Sequence, residues 1–261
     1  DATGASAGFT FSDTVSMTVW FPLASIFRNA DWKSGQDVPQ LTSLQVSADG
    51  TPLDYAVHEL PNPRGADKPL LPWAGFPVTF PSGKETTVHV SYKLPPQPSG
   101  NGMILYYIFQ SGSGWAGPIG RAELTLNLPY PASTESLAGM PPGVVFNGNQ
   151  ARWMWKDFEP GPEDDFAVSF LLPTKWQELE TARAAVQVNP QDGLAWLDLA
   201  TTYYSLSVTQ IGSSFTTTIF STSFNPQGIA AYQKAADLLP EHPAPHAGLG
   251  MLILAPYLKD R

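Results

Sequence analysis

The chain has no cysteine. That absence excludes disulfides, thiol nucleophiles and cysteine-ligated zinc. Charge is also scarce: Asp, Glu, Lys and Arg make up 14% of the 261 residues, against about 25% in an ordinary globular chain. What charge there is sums to −9, and Lys and Arg nowhere cluster. An acidic surface without a basic patch repels a phosphate backbone, so no nucleic-acid partner is expected. No run approaches the roughly 18 apolar residues of a membrane span. The longest, from Ala247 to Leu258, is interrupted by Pro256. Membrane attachment would need an anchor outside this sequence or a partner. Neither a Gly-x-Gly-x-x-Gly fingerprint, nor a P-loop, nor a Gly-x-Ser-x-Gly elbow occurs.

What is abundant is punctuation, with 26 prolines and 22 glycines, and with uncharged polar residues between them. Such a mixture suits a turn-rich β-protein. From residue 9 to 172 the chain reads as strands. Val15, Met17, Val19, Phe21 and Leu23 alternate with Ser16, Thr18, Trp20 and Pro22, the period of a strand buried on one side. Asp49-Gly50, between two alternating runs, predicts a two-residue hairpin turn with positive φ at both positions. Val88, Val90 and Tyr92 alternate with His89, Ser91 and Lys93, and Leu124, Leu126 and Leu128 with Glu123, Thr125 and Asn127. Met103 to Phe109 is continuously apolar, as in a central strand covered on both faces. Val144–Phe146, Asn147-Gly148-Asn149 and Arg152–Lys156 predict a second hairpin. Phe166, Val168, Phe170 and Leu172 complete an antiparallel β-sandwich of roughly nine or ten strands. Segments 60–75 and 129–142 are rich in Pro and Gly and read as surface loops.

At Pro173 the rhythm changes. Thr174 is a plausible N-cap, and Trp176 to Val186 is helical in composition. The boundary has no flexible linker, so the helices are expected to pack on the sandwich. The predicted organisation is a β-sandwich over 1–173 and a helical domain over 174–261. In the helical part, Trp196, Leu199, Ala200 and Tyr203, then Gly228, Tyr232, Ala235 and Pro240, stand at tetratricopeptide spacing. Pro190 precedes Trp196 as Pro240 precedes His246, by six positions. The segment resembles a short tetratricopeptide repeat, in which small residues let antiparallel helices approach and large ones fill the gap. The resemblance implies a protein-binding scaffold. Pro190 and Pro240 are 50 positions apart, against about 34 in that family. The excess falls in an uncharged Ser/Thr/Phe-rich insert over 206–225, which could form a hairpin around Gly212-Ser213-Ser214. The final helix, over 243–257, lacks a successor and needs a cover for its apolar face. Gln110 to Gly120 and Trp153 to Pro160 resemble segments of uncharacterised bacterial exported domains, a likeness that implies an extracytoplasmic setting and no known activity.

Candidate chemistry is thin. His58 and His89 sit on polar strand faces. His242 and His246 are separated by Pro243 and Pro245, so they read as residues at a helix start rather than a zinc pair. Glu159 to Asp165 reads as a solvated acidic turn in preference to a calcium loop. No pair of carboxylates is singled out for glycoside hydrolysis. No catalytic residue, metal or cofactor is expected. The residues expected to bind are Phe215, Ile219, Phe220 and Phe224 of the insert, Tyr204 beside it, and Trp20 and Trp153 of the sandwich, since exposed aromatics anchor partners or stack on sugars. The small polar opening, Asp1 to Gly8, resembles the stretch after a removed signal peptide. The expected protein is an extracytoplasmic scaffold or accessory subunit, secreted, periplasmic or on the cell surface, that holds a protein partner. The alternatives are a self-assembling subunit of an extracellular filament or surface layer, and a carbohydrate-binding module.

Overall fold

A computed structural model of the chain describes residues 13–23, 41–61, 70–93, 97–107, 109, 117–161, 164–211, 214–254 and 257. The expected hairpin at Asp49-Gly50 joins β2 (Thr42–Ala48) to β3 (Thr51–Leu53). Asp49 and Gly50 have φ of 48° and 79°, the left-handed backbone that only Gly adopts freely and Asp tolerates. The alternating run near the start forms β1 (Val15–Pro22). β4 (Ala56–Leu60), β5 (Leu71–Phe80) and β6 (Val88–Lys93) follow. Two three-stranded antiparallel sheets result, in the orders β1-β5-β4 and β3-β2-β6. Their inner faces share Val46, Phe76 and Val78, each 5% exposed or less. Val19, Phe21, Leu53 and Val90 pack around them. Residues 71–75, read from composition as loop, are strand. Pro72 is accommodated there because it stands at the start of the strand, past the last β1–β5 pair at Pro22 and Trp73, and its carbonyl still accepts from the Leu23 amide at 2.9 Å.

A second β-unit follows, with β7 (Gln97–Ser99), β8 (Gly102–Tyr107), β9 (Ile119–Asn127), β10 (Leu137–Ala138), β11 (Val145–Asn147), β12 (Gln150–Phe158) and β13 (Phe166–Leu171). Its sheets run β10-β13-β8-β7 and β11-β12-β9. β8 lies between β13 and β7, and Met103 to Tyr107 are all half-buried, which accounts for its unbroken apolar run. Segment 129–142 is not a surface loop. Tyr130, Ala132, Ser136 and Leu137 are buried, because the Tyr130 hydroxyl donates to the Leu171 carbonyl and its ring stacks on Trp176 at 5.1 Å.

Four helices follow among the described residues: α1 (Pro173–Val188), α2 (Gly193–Ser207), α3 (Ser221–Leu238) and α4 (Pro243–Leu254). Thr174 is not the cap. Leu172 occupies that position without a side-chain bond and Pro173 starts the helix, where a missing N–H costs nothing. Asp192 does cap α2, accepting from the Leu194 and Ala195 amides at 2.9 and 3.1 Å. One continuous core runs from Trp153 and Phe166 through Trp176 and Leu179 to Phe224 and Leu252. The helices thus complete the core of the second β-unit, whereas the first unit has its own.

The tetratricopeptide identification does not stand. The described residues hold more antiparallel strand than helix, and the four helices hold no repeat: a hairpin, β14 (Val208–Ile211) with β15 (Ser214–Thr217), separates α2 from α3. A stacked array needs three or more units to bury its faces; here the sheets do that. Leu199, Ala200, Tyr203, Gly228, Tyr232 and Ala235 nevertheless pack helix on helix and are buried. A Cβ at Gly228 would lie 2.7 Å from Leu252 Cδ1 and 3.1 Å from Tyr203 Cβ, so glycine sets how closely α3 approaches α2 and α4. Trp196 is half-buried and donates to the Pro190 carbonyl at 2.9 Å. Pro240 is exposed just past α3. Small-against-large spacing is a general device of close helix pairs, which explains how it imitates the family.

Candidate functional site

The insert and the residues that root it form the candidate site. α2 runs without a break into β14, whose first residue, Val208, is 6% exposed. Thr218 closes the other end: its amide donates to the Ser207 carbonyl at 2.8 Å and its hydroxyl to the Leu206 carbonyl at 2.5 Å. Phe220 then plugs the hairpin's base against β8. A Cβ on Gly102 would come within 2.8 Å of the Phe220 ring, so the glycine makes room for it. Between these anchors β14 and β15 pair antiparallel, Val208 opposite Thr217 and Ile211 opposite Ser214. Among the described residues they form a two-stranded sheet alone.

A polar clasp holds the helices that carry the hairpin. Arg183 of α1 reaches both carboxylate oxygens of Glu135 at 3.0 Å. The same side chain bonds the Tyr203 hydroxyl of α2 and the Gln227 amide oxygen of α3, each at 3.0 Å. Gln227 in turn donates to Glu135, and the Ser223 hydroxyl donates to the Thr134 carbonyl at 2.8 Å. Burial pulls the guanidinium pKa down, but the Tyr203 bond and the Glu135 charge more than reverse it. The clasp therefore stays charged. It fastens three helices to the loop before β10, and nothing in the spacing of Glu135, Arg183 and Gln227 in sequence singles it out.

Arg183→Ala is expected to cost about 1–3 kcal/mol in denaturant unfolding. The figure stays below that of a fully buried pair because the two side chains are 22% and 29% exposed and water screens them. Arg183→Lys should restore only part of it, since an ammonium gathers its three donors at one atom and lacks the planar fork by which the guanidinium reaches Glu135, Gln227 and Tyr203 from separate nitrogens. Identical unfolding midpoints for all three proteins would show that the clasp holds nothing.

The expected binding residues separate. Trp153, Phe220 and Phe224 are 1%, 2% and 0% exposed and are core, not contact surface. Trp153 stands across Phe166 at 4.8 Å and its indole N–H donates to the Pro141 carbonyl at 3.1 Å. Phe224 lies beside Tyr203 at 5.9 Å. The uncharged Ser/Thr/Phe-rich composition set the insert's end at residue 225, yet its last residues belong to a helix. α3 begins at Ser221, since burying Phe220 and Phe224 outweighs the one backbone bond missing at Pro226. Tyr204 is half-buried. The side chain of Phe215 lies outside the described residues. Ile219 and Trp20 are 49% and 40% exposed, Ile219 lying against Gly139 at the foot of the hairpin.

Around His242 the chain makes a helix start. The imidazole Nδ1 accepts from the Ala244 amide at 3.2 Å. Asp164 accepts from the Gly161 amide at 2.7 Å, closing the acidic turn on itself. Among the described residues no three His, Asp or Glu side chains converge as metal ligands, and no helix is long and apolar enough to cross a membrane.

The fold is thus two antiparallel β-units with a four-helix layer fused to the second. No family model matches the chain, and no curated protein is similar to it. Neither the helical nor the exported-domain resemblance is sustained. A solved structure from Legionella pneumophila subsp. pneumophila str. Philadelphia 1, named a "putative nutrient binding protein", is similar at 14% identity and a TM-score of 0.47. The match covers 93% of this chain and 83% of that one. So loose a likeness carries no argument about what this chain does.

Proposed function

We propose that the chain is a non-catalytic, extracytoplasmic interaction subunit that holds a protein partner at the β14–β15 hairpin. One observation carries the reading: two strands rooted in the core at Val208 and Phe220 pair with each other and with no other described strand. Their outer edges offer backbone donors and acceptors to an added strand. The clasp and the buried aromatics at the base keep the hairpin in place, so little ordering entropy is lost on binding.

The test excises the hairpin, joining Ser207 to Thr218 through a short Gly-Ser turn, and places a photo-cross-linker at Thr216 of the intact chain. Cross-linking to one protein in the native extract, lost when Thr209 and Thr216 are both changed to Pro while the melting temperature holds, supports the reading. A chain that stays solitary in the same extract sinks it. Cross-links between copies, with ordered polymers by electron microscopy, would transfer the site to self-assembly.

A further inference from the structure

The sequence holds two Asn-Gly steps, Asn101-Gly102 and Asn147-Gly148. Both carry the same latent reaction. An asparagine amide is thermally labile, and most so where glycine follows, because no side chain then shields the next backbone nitrogen from the asparagine Cγ. The fold treats the two steps in opposite ways.

Asn101-Gly102 is locked. The Asn101 side-chain amide donates to the Ser205 carbonyl of α2, and its backbone carbonyl accepts from the Leu172 amide at 3.0 Å. Gly102 is buried and stands in the ladder between Ser99 of β7 and Leu171 of β13. A Cβ there would lie 2.7 Å from the Phe170 carbonyl oxygen and 2.8 Å from the Phe220 ring. Neither a solvent base nor a turning side chain has room at that point.

Asn147-Gly148 is open. It starts the two-residue turn between β11 and β12, with Asn147 paired to Gln150. Both residues are exposed. Gly148 takes a φ of 59°, and a Cβ on it would meet nothing within 4 Å. The first central residue of such a turn keeps its N–H outside the ladder. The Gly148 carbonyl accepts from the Ala132 amide at 2.9 Å, but its N–H donates to no backbone carbonyl among the described residues. Asn149, in the same turn, is tied: its side-chain amide donates to the Leu128 carbonyl at 2.8 Å.

We infer that Asn147 is a site of spontaneous deamidation and isomerisation, with water as co-reactant, and that the fold protects Asn101. A solvent base removes the Gly148 amide proton. The nitrogen attacks Asn147 Cγ, the N–Cγ bond forms, the Cγ–Nδ2 bond breaks and ammonia leaves. Water then opens the succinimide ring at either carbonyl. One opening leaves aspartate; the other leaves isoaspartate, in which the backbone runs through Cβ. No electrons change hands. Both products add a negative charge. Isoaspartate also inserts a methylene into a turn whose Gly148 and Asn149 carbonyls hold the Ala132 and Leu128 amides, each at 2.9 Å.

The full chain is incubated at mildly alkaline pH, with and without guanidinium, and sampled over weeks. Peptide mapping by mass spectrometry reads loss of ammonia and gain of water at each asparagine, and fragmentation separates aspartate from isoaspartate. In the folded chain Asn147 should convert about tenfold faster than Asn101 or more, because Asn101 reacts only in molecules that open locally. In guanidinium the two should convert at similar rates, since the dipeptide is the same. Asn147→Ser should fold as the parent does and lack the first acidic species resolved by anion exchange. Equal rates in the folded chain, faster conversion at Asn101, a rate ratio unchanged by guanidinium, an Asn147 that stays intact while the unfolded chain converts, or the same acidic species from Asn147→Ser each overturns the inference.

Discussion

Trp153→Ala is expected to lose about 3–5 kcal/mol of folding stability. That is a large part of the roughly 5–15 kcal/mol a domain possesses. The indole is 1% exposed. It sits where β12 of one sheet meets Phe166 of the other, so truncation opens a cavity lined by both sheets and strands the Pro141 carbonyl without its donor. Because the same core continues into α1 to α4, the second β-unit and the helices should melt together. Guanidinium unfolding followed by tryptophan fluorescence and by helical ellipticity checks both statements. A loss below about 1 kcal/mol, or helices that melt separately, would refute the single shared core. Trp20→Ala is the matched control. Its ring is exposed and its removal opens no cavity, so its cost should be a small fraction of that of Trp153.

Stability should also fall steeply above pH 10. Burial, and then the neighbouring Tyr107, push Tyr92 up to about 12. Burial likewise raises Tyr107, Tyr130, Tyr204 and Tyr232. Tyr203 is raised by burial too, with Arg183 pulling partly against it. In the unfolded chain these phenols lose their protons near pH 10, while the folded chain retains them to higher pH. Between the two values the unfolded state binds fewer protons, so rising pH favours it. Below pH 10 the stabilisation is fully present. For Tyr92 alone the shift to about 12 corresponds to about 3 kcal/mol lost over that interval. Melting temperatures measured from pH 8 upward, with tyrosinate absorbance recorded in parallel, provide the check. Six tyrosines ionising normally in a chain still folded at high pH would contradict it.

The elements with strong local rhythm were legible in the sequence. β1, β6 and β9 follow from alternation, the β2–β3 turn from the positive φ demanded of Asp49-Gly50, and the β14–β15 pair from an uncharged, β-prone insert. Boundaries were harder. Pro173 looked like a breaker before the helix, and is its first residue. Proline and glycine between 129 and 142 suggested a surface loop. Yet Tyr130, Ser136 and Leu137 are buried there, because that segment is the seat on which α1 and α3 rest. The family likeness failed for a related reason: Gly228, Ala235 and Tyr203 report that helices touch closely, not which architecture surrounds them.

Candidate contact residues divided along the same line. Aromatic character is local, whereas exposure is not. Trp20 and Trp153 both stand in alternating strands. One lies on an uncovered sheet face over Gly75, and the other is closed in by a second sheet contributed by distant chain. Glu135, Arg183 and Gln227 belong to a loop and two helices, and only folding brings their charges and amides within 3.0 Å. Periodicity, turn chemistry and composition act over a few neighbouring residues, so they can be read along the chain. Which face is covered, which aromatic remains free and which charges meet depends on contacts between segments far apart in sequence. Those were decided by the packing of the two β-units and the helical layer.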